Sequence, residues 1–162
     1  MDDIINAGVK AFAATISTQP IGLADHHPES WAKPGWCFDN VARKIGQDGG
    51  RVQFGWTFHH CYVANIPSPG YLFANHHAVW HSPDGRLIDI TLFHPTHNRP
   101  LIHDTNLFLV DDKALPVRSG NIIAPLPNRF FALSADDRLK KHVEQLTRAE
   151  NQKCQDIYDG KF

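Results

Sequence analysis

The sequence predicts an α+β domain in which helices flank a small antiparallel sheet. Apolar residues recur at three- and four-residue intervals near both ends of the chain, which is typical of amphipathic helices. The middle of the chain instead shows the two-residue alternation of strands. Because the strands follow one another without helices between them, a segregated α+β arrangement is favoured. The 162 residues suit one core, so we expect a single domain, 1–162.

Three helices are predicted. Residues 3–16 form the first, and 18–36 are expected to be irregular because prolines and glycines interrupt them. The second begins at or near Cys37, after Pro34-Gly35-Trp36, and stops near the glycines that follow Lys44. The last runs from about Ala135 to Tyr158, with Ser134 and Asp137 as a capping box.

The strands lie between the second and the last helix. Alternation from Val52 to Ala64 predicts a long strand, bulged at Gly55. Strands are also predicted at Tyr71–His81 and Arg86–Phe93, followed by short strands and loops over 94–130.

The segment Ser82-Pro83-Asp84-Gly85 sets the register of the central hairpin. Proline, aspartate and then glycine favour a three-residue loop with a left-handed glycine. Trp80 then faces Ile88, and His77 shares a sheet face with Asp89, whereas His76 lies on the apolar face. A loop of two or four residues would reverse this assignment.

Charge and composition exclude several classes of protein. Sixteen basic and seventeen acidic residues give no basic excess, so neither nucleic acid nor an anionic membrane is an expected partner. No apolar run approaches the roughly 18 residues of a membrane span. The acidic start, Met1-Asp2-Asp3, does not suit a secretory signal, and three cysteines are too few for a disulfide framework. We therefore expect a cytoplasmic protein with free thiols.

One cysteine is placed for nucleophilic chemistry. Helix N-termini stabilise a thiolate through unpaired N–H groups and the helix dipole, and Cys37 is predicted at such a position. Cys61 lies in a predicted strand and Cys154 in the last helix, where a buried, inert thiol is expected. Cys37 as nucleophile, His77 as acid and base, and Asp89 as the group that orients His77 would form a catalytic triad.

Three short segments resemble the papain-like cysteine hydrolase superfamily in its amidohydrolase and transglutaminase-like branches. They are Trp36-Cys37, His77-Ala78-Val79-Trp80 and Ile88-Asp89-Ile90-Thr91. Cys37-Phe38-Asp39-Asn40-Val41 is also similar to the cysteine motif of protein N-terminal glutamine amidohydrolases. The resemblance implies a papain-like fold whose cysteine-bearing helix packs on the sheet. It also implies a Cys-His-Asp triad that releases ammonia or an amine from an amide.

The resulting hypothesis is a thiol-dependent hydrolase or acyl transferase that acts on an amide-type bond, as a deamidase, amidase or peptidase does. We expect an amide-containing peptide, protein or small molecule as substrate, and no cofactor. Substrate contacts are expected from four residues around the cysteine, Trp36, Asn40, Trp56 and His76.

Two other functions remain open. Eleven histidines are an excess for this length, and His77 and His81 project to one side of a strand with Asp89. They could hold iron or zinc, with His59, His60, His94 and His97 as further candidate ligands. Alternatively, the four tryptophans and ten phenylalanines could line the groove of a non-enzymatic protein-binding module.

Overall fold

The computed structural model describes residues 3–66, 69–93 and 105–161. Within these residues the chain forms three helices and eight strands. In chain order they are α1 (Asp3–Ile16), β1 (Ile21–His26), α2 (Cys37–Asp48), β2 (Arg51–Cys61), β3 (Tyr71–His81), β4 (Leu87–Asp89), β5 (Thr105–Val110), β6 (Val117–Ser119), β7 (Ile122–Ala124), β8 (Arg129–Ala132) and α3 (Asp137–Tyr158).

Five of the strands form a sheet that closes on itself. The order is β2-β5-β1-β4-β3, and β2 pairs with β3 along their whole length. All pairings are antiparallel except β1 with β4, so the sheet is mixed, and the prediction of an antiparallel sheet was wrong at this pair. The prediction of a domain that combines helices with a sheet is confirmed, and this sheet forms a small barrel.

On the edge that faces away from β2, β3 has a segment without strand pairing among the described residues. β8 pairs with β3 at Tyr71–Ala74, whereas β4 pairs with it only at Trp80 and His81. Among the described residues, neither strand pairs with residues 75–79 between these two contacts. This part of the strand edge is therefore open to another element that packs over it.

α1 and α2 cover the outer face of the closed sheet, whereas α3 packs against β6, β7 and β8. Phe12 of α1 packs in a buried cluster with Trp56 and Phe58, and α2 packs against Ala78, Trp80 and Ile88. The inner face carries a small apolar core of Ala24, Val79 and Phe108. None of the three helices within the described residues has both the length and the apolar character that crossing a bilayer requires.

Helix bounds were largely predictable. α1 spans the predicted residues 3–16, and α2 begins at the predicted Cys37 but continues through Gly46 to Asp48. The capping box of α3 was wrong, because Asp136 is the N-cap and its Oδ1 accepts a hydrogen bond of 2.8 Å from the backbone N–H of Arg138.

Two strands differ from the predictions. Residues 18–36 were expected to be irregular, yet Ile21–His26 form β1 because β4 and β5 supply hydrogen-bond partners on both of its edges. β4 is shorter than the predicted Arg86–Phe93, since its pairing with β3 and β1 ends at Asp89.

Gly55 does not form the predicted bulge. The pairing of β2 with β3 is continuous through this residue, with Gly55 opposite His77. A Cβ atom there would lie 2.2 Å from the backbone oxygen of Leu109 and 2.6 Å from the Phe108 ring. Glycine is thus required because β5 approaches β2 closely.

Alanine substitutions at two glycines should therefore have opposite effects on the free energy of unfolding. Gly55→Ala should destabilise the protein by about 1–3 kcal/mol, since a backbone atom must move. Gly46→Ala, inside α2 with open space around it, should stabilise it by about 0.5–1 kcal/mol. Urea unfolding of both variants measures the difference, and effects of the same sign would contradict this explanation of Gly55.

Candidate active site

The hairpin between β3 and β4 has the predicted loop. The backbone N–H of Ser82 donates to the oxygen of Arg86 at 2.9 Å, and Gly85 has a φ of 88°. Trp80 pairs with Ile88 and His81 with Leu87, as the three-residue loop requires. The predicted register of the hairpin is confirmed.

This register brings His77 against Asp89. Nε2 of His77 lies 3.0 Å from Oδ2 of Asp89, and the two side chains are 12% and 3% exposed. The contact is an ion pair rather than a well-formed hydrogen bond, because the buried ring N–H is not aligned with the carboxylate. Within the sheet, the two residues lie on the inner face at the point where β3 and β4 separate.

Cys37 reaches the same histidine from the other side of the sheet edge. It is the first residue of α2, it is 5% exposed, and its thiol interacts with the His77 ring. The gap along residues 75–79 of β3 explains this approach, because no described strand separates the helix start from the inner face there. The structure thus brings together the three residues predicted as a triad.

The charge of His77 follows from its two partners. Burial alone would lower the pKa of this imidazole, but the Asp89 carboxylate and the Cys37 thiol outweigh that effect and raise the pKa well above its ordinary value. The raised pKa favours the protonated, cationic form of His77, and a cation beside a thiol stabilises the thiolate.

Asp89 has two further hydrogen-bond donors. The backbone N–H of Thr91 donates to Oδ1 at 3.1 Å, and the Nδ2 group of Asn106 donates to Oδ2. Asn106 is 2% exposed on β5, and sequence analysis missed it. No local pattern marks this residue, since it reaches Asp89 only through the pairing of β5 with β1 and of β1 with β4.

The three residues lie at the floor of a cavity of about 530 Å³. The wall is built from the start of α2, β2, β3, the residues after β4, the β6–β7 segment and α3. Its remaining polar lining comes mainly from Asp39, Thr57, His59, Asn75, Asn106, Asn121, Asn128, Glu150 and Lys153. The cavity therefore brings a thiol, an imidazole and a carboxylate together and has room for a ligand.

Trp36 and Asn40, two of the four predicted substrate contacts, lie close to Cys37 but differ in whether their side chains are available to a substrate. Trp36 lines the cavity and is 55% exposed. Asn40 is buried, and its amide bonds the backbone N–H and oxygen of Lys33 and the hydroxyl of Thr91. Asn40 thus fastens α2 to the segment after Asp89, and its polar atoms are already used.

The other two predicted contacts are structural. Trp56 lies in the core on the outer face, 1% exposed, and Nε1 donates to Asp111 Oδ2 at 3.0 Å, so the structure does not bring it to the cavity. His76 borders the cavity, but Nε2 donates to the oxygen of Ala114 at 2.7 Å and Nδ1 accepts from the N–H of Leu126 at 2.8 Å. Its ring nitrogens are therefore not available to a substrate.

The alternative metal site finds no support in the arrangement of side chains. Within the described ranges, no three His, Cys, Asp or Glu side chains are grouped so that they could hold a metal ion. His81 therefore does not join His77 and Asp89 in a ligand set. His94 and His97, the other candidates after β4, lie outside the described residues.

His76 should make stability fall at acidic pH. Its pKa is lowered to about 4, mainly by burial, whereas an unfolded histidine titrates near 6.5. The unfolded chain binds the proton first, so up to about 3 kcal/mol of stability is lost as the pH falls from 6.5 to 4. His77 acts in the opposite direction at higher pH, because the stability linked to its raised pKa is complete below 6.5 and is lost as the pH rises through that pKa.

Urea unfolding of wild type and His76→Gln at pH 7.5 and pH 4.5 isolates this contribution. The stability advantage of wild type over the variant should shrink at the lower pH. An advantage that is equal at both values would show that His76 is not held neutral.

Comparison of this chain with protein-family models, with curated proteins and with solved structures finds no match. The chemistry of the site is accordingly inferred from its own geometry.

Proposed function

We propose that this protein is a thiol-dependent hydrolase or acyl transferase that cleaves an amide-type bond. The observation that carries the proposal is a buried histidine held between a carboxylate and a thiol at the floor of an open cavity. Cys37 is the nucleophile, His77 the acid and base, and Asp89 the group that holds His77. This arrangement of a helix-start cysteine with a histidine and an acid on adjacent strands is consistent with a papain-like organisation.

The first half of the reaction forms a thioester. The Cys37 thiolate attacks the carbonyl carbon, and the electron pair of the carbonyl moves to its oxygen. When the tetrahedral intermediate collapses, the carbon–nitrogen bond breaks and His77 gives its proton to the leaving nitrogen. Ammonia or an amine departs, and the acyl group stays on sulfur.

The second half releases the acyl group. Neutral His77 takes a proton from water, the oxygen attacks the thioester carbon, and the carbon–sulfur bond breaks. The products are a carboxylic acid and the Cys37 thiolate paired again with protonated His77. An amine in place of water would give acyl transfer by the same steps. Deamidase, amidase and peptidase activities share this chemistry and differ only in the substrate.

A reducing compartment such as the cytoplasm suits this mechanism, because the nucleophile has to remain a free thiol. Cys37, Cys61 and Cys154, which all lie in the described part of the chain, form no disulfide bond. No cofactor enters the proposed steps.

The activated thiol should be detectable without knowledge of the substrate. Iodoacetamide at pH 6 should alkylate Cys37 at least about tenfold faster than Cys61 or Cys154, because His77 stabilises the Cys37 thiolate. Burial raises the pKa of the Cys154 thiol and keeps it unreactive. Peptide mass spectrometry over time gives the three rates.

Variants of the triad sharpen the test. His77→Ala should remove most of the rate advantage of Cys37, and Asp89→Asn should reduce it by weakening the charge on His77. p-Nitrophenyl acetate should acetylate the Cys37 thiol in wild type and in the control variant Cys61→Ser, and Cys37→Ala should lose this thioester-linked acetyl group. Equal alkylation of the three thiols would refute the proposed mechanism.

A further inference from the structure

Exposed apolar side chains are concentrated at the mouth of the cavity. Eight large hydrophobic residues are exposed within the described part of the chain, and half of them line this one cavity. These four, the apolar rim, are Trp36 at 55% exposure, Leu92 at 36%, Phe93 at 36% and Ile122 at 49%. Large apolar groups gathered around a concave site, rather than scattered over a surface, mark a place where a ligand is bound.

The apolar rim lies directly beside the triad. Trp36 precedes Cys37, and Leu92 and Phe93 follow Asp89 by three and four residues. Ile122 comes from β7 on another wall. Three separate segments of the chain thus present apolar surface around the same floor, so apolar contact is offered on more than one side of a reacting amide.

Two rim residues are held in place by polar neighbours. The His26 ring stacks on Phe93 with 4.0 Å between ring centroids, and its Nε2 lies 2.9 Å from the backbone oxygen of Thr91. The Lys33 ammonium lies 4.9 Å from the centre of the Trp36 ring. Because these side chains are supported in exposed positions, a ligand loses little free energy in ordering them.

The floor of the cavity, in contrast to the apolar rim, carries polar side chains. Thr57 and Asn75 are paired neighbours on β2 and β3, and they line the cavity on the same inner face as His77. The site therefore offers polar groups to the amide itself and apolar groups to whatever is attached to it.

We infer that the substrate is an amide within an apolar stretch of a polypeptide, with a large aromatic or branched aliphatic side chain next to the reacting bond. This inference rests on the proposed function and specifies its substrate class. A polypeptide fits better than a small amide because the rim surrounds the floor on several sides and a chain continues in both directions from the amide.

Two matched alkylating reagents test the inference. Iodoacetyl-phenylalanine amide and iodoacetyl-serine amide react alike, with a new sulfur–carbon bond and loss of iodide, and differ only in the side chain. We expect Cys37 to react about tenfold or more faster with the phenylalanine reagent than with the serine reagent, after division by the same rate ratio for free N-acetylcysteine. A factor of this size is expected for burying one aromatic side chain. Mass spectrometry of the Cys37 peptide gives both rates.

A variant of the apolar rim and a matched control test whether the rim causes the preference of Cys37 for the phenylalanine reagent. Ile122→Ser should lower it severalfold, whereas Leu115→Ser, at a residue that is 59% exposed but outside the cavity lining, should leave it unchanged. No preference in wild type, or a preference that Ile122→Ser does not alter, would overturn the inference. A third result would also overturn the inference. If Cys37 prefers N-benzyl iodoacetamide to iodoacetamide but does not prefer the phenylalanine reagent to the serine reagent, the substrate is a small apolar amide rather than a polypeptide.

The reaction with iodoacetamide distinguishes a failure of the proposed function from a failure of the inference about the substrate. If Cys37 reacts with iodoacetamide no faster than Cys61 does, the proposed function fails. If Cys37 is fast but indifferent to the side chain of the reagent, only the inference about the substrate fails.

Discussion

The contact between His77 and Asp89 is the interaction on which the site depends. Removing an imidazole and a carboxylate from water costs several kcal/mol for each charge, so neither could be buried here alone. Each is retained because the other is present, and the proposed activation of the Cys37 thiol depends on this pair.

Neutral amides hold this charged centre in position. Asn106 binds one oxygen of Asp89, while the N–H of Thr91 binds the other. Asn40, three residues after Cys37, bonds the hydroxyl of the same Thr91. A short chain of hydrogen bonds therefore joins α2, which begins at Cys37, to Asp89 at the end of β4. The start of α2 is thus tied to the Asp89 carboxylate by hydrogen bonds as well as by its packing on the sheet.

Local patterns predicted much of this structure from the sequence. The bounds of α1, the start of α2 and the hairpin register follow from short-range periodicity and turn chemistry, and they were enough to place His77 beside Asp89. β1 and Asn106 could not be found in this way, because both are defined by partners distant in the chain. His76 and Asn40 have polar side chains in a suggestive position, but only three-dimensional contacts show that backbone groups already occupy their polar atoms.

The contact between His77 and Asp89 also constrains the turn at residues 82–86. It lies on the surface, and surface loops usually accept insertions and deletions. Here one residue more or less would exchange the two faces of β4 relative to β3 and would turn Asp89 away from His77. The loop's residue types have some freedom, but its length does not. Over evolutionary time we therefore expect this loop to keep its length as strictly as Cys37, His77 and Asp89 keep their side chains, although none of the loop residues lines the cavity.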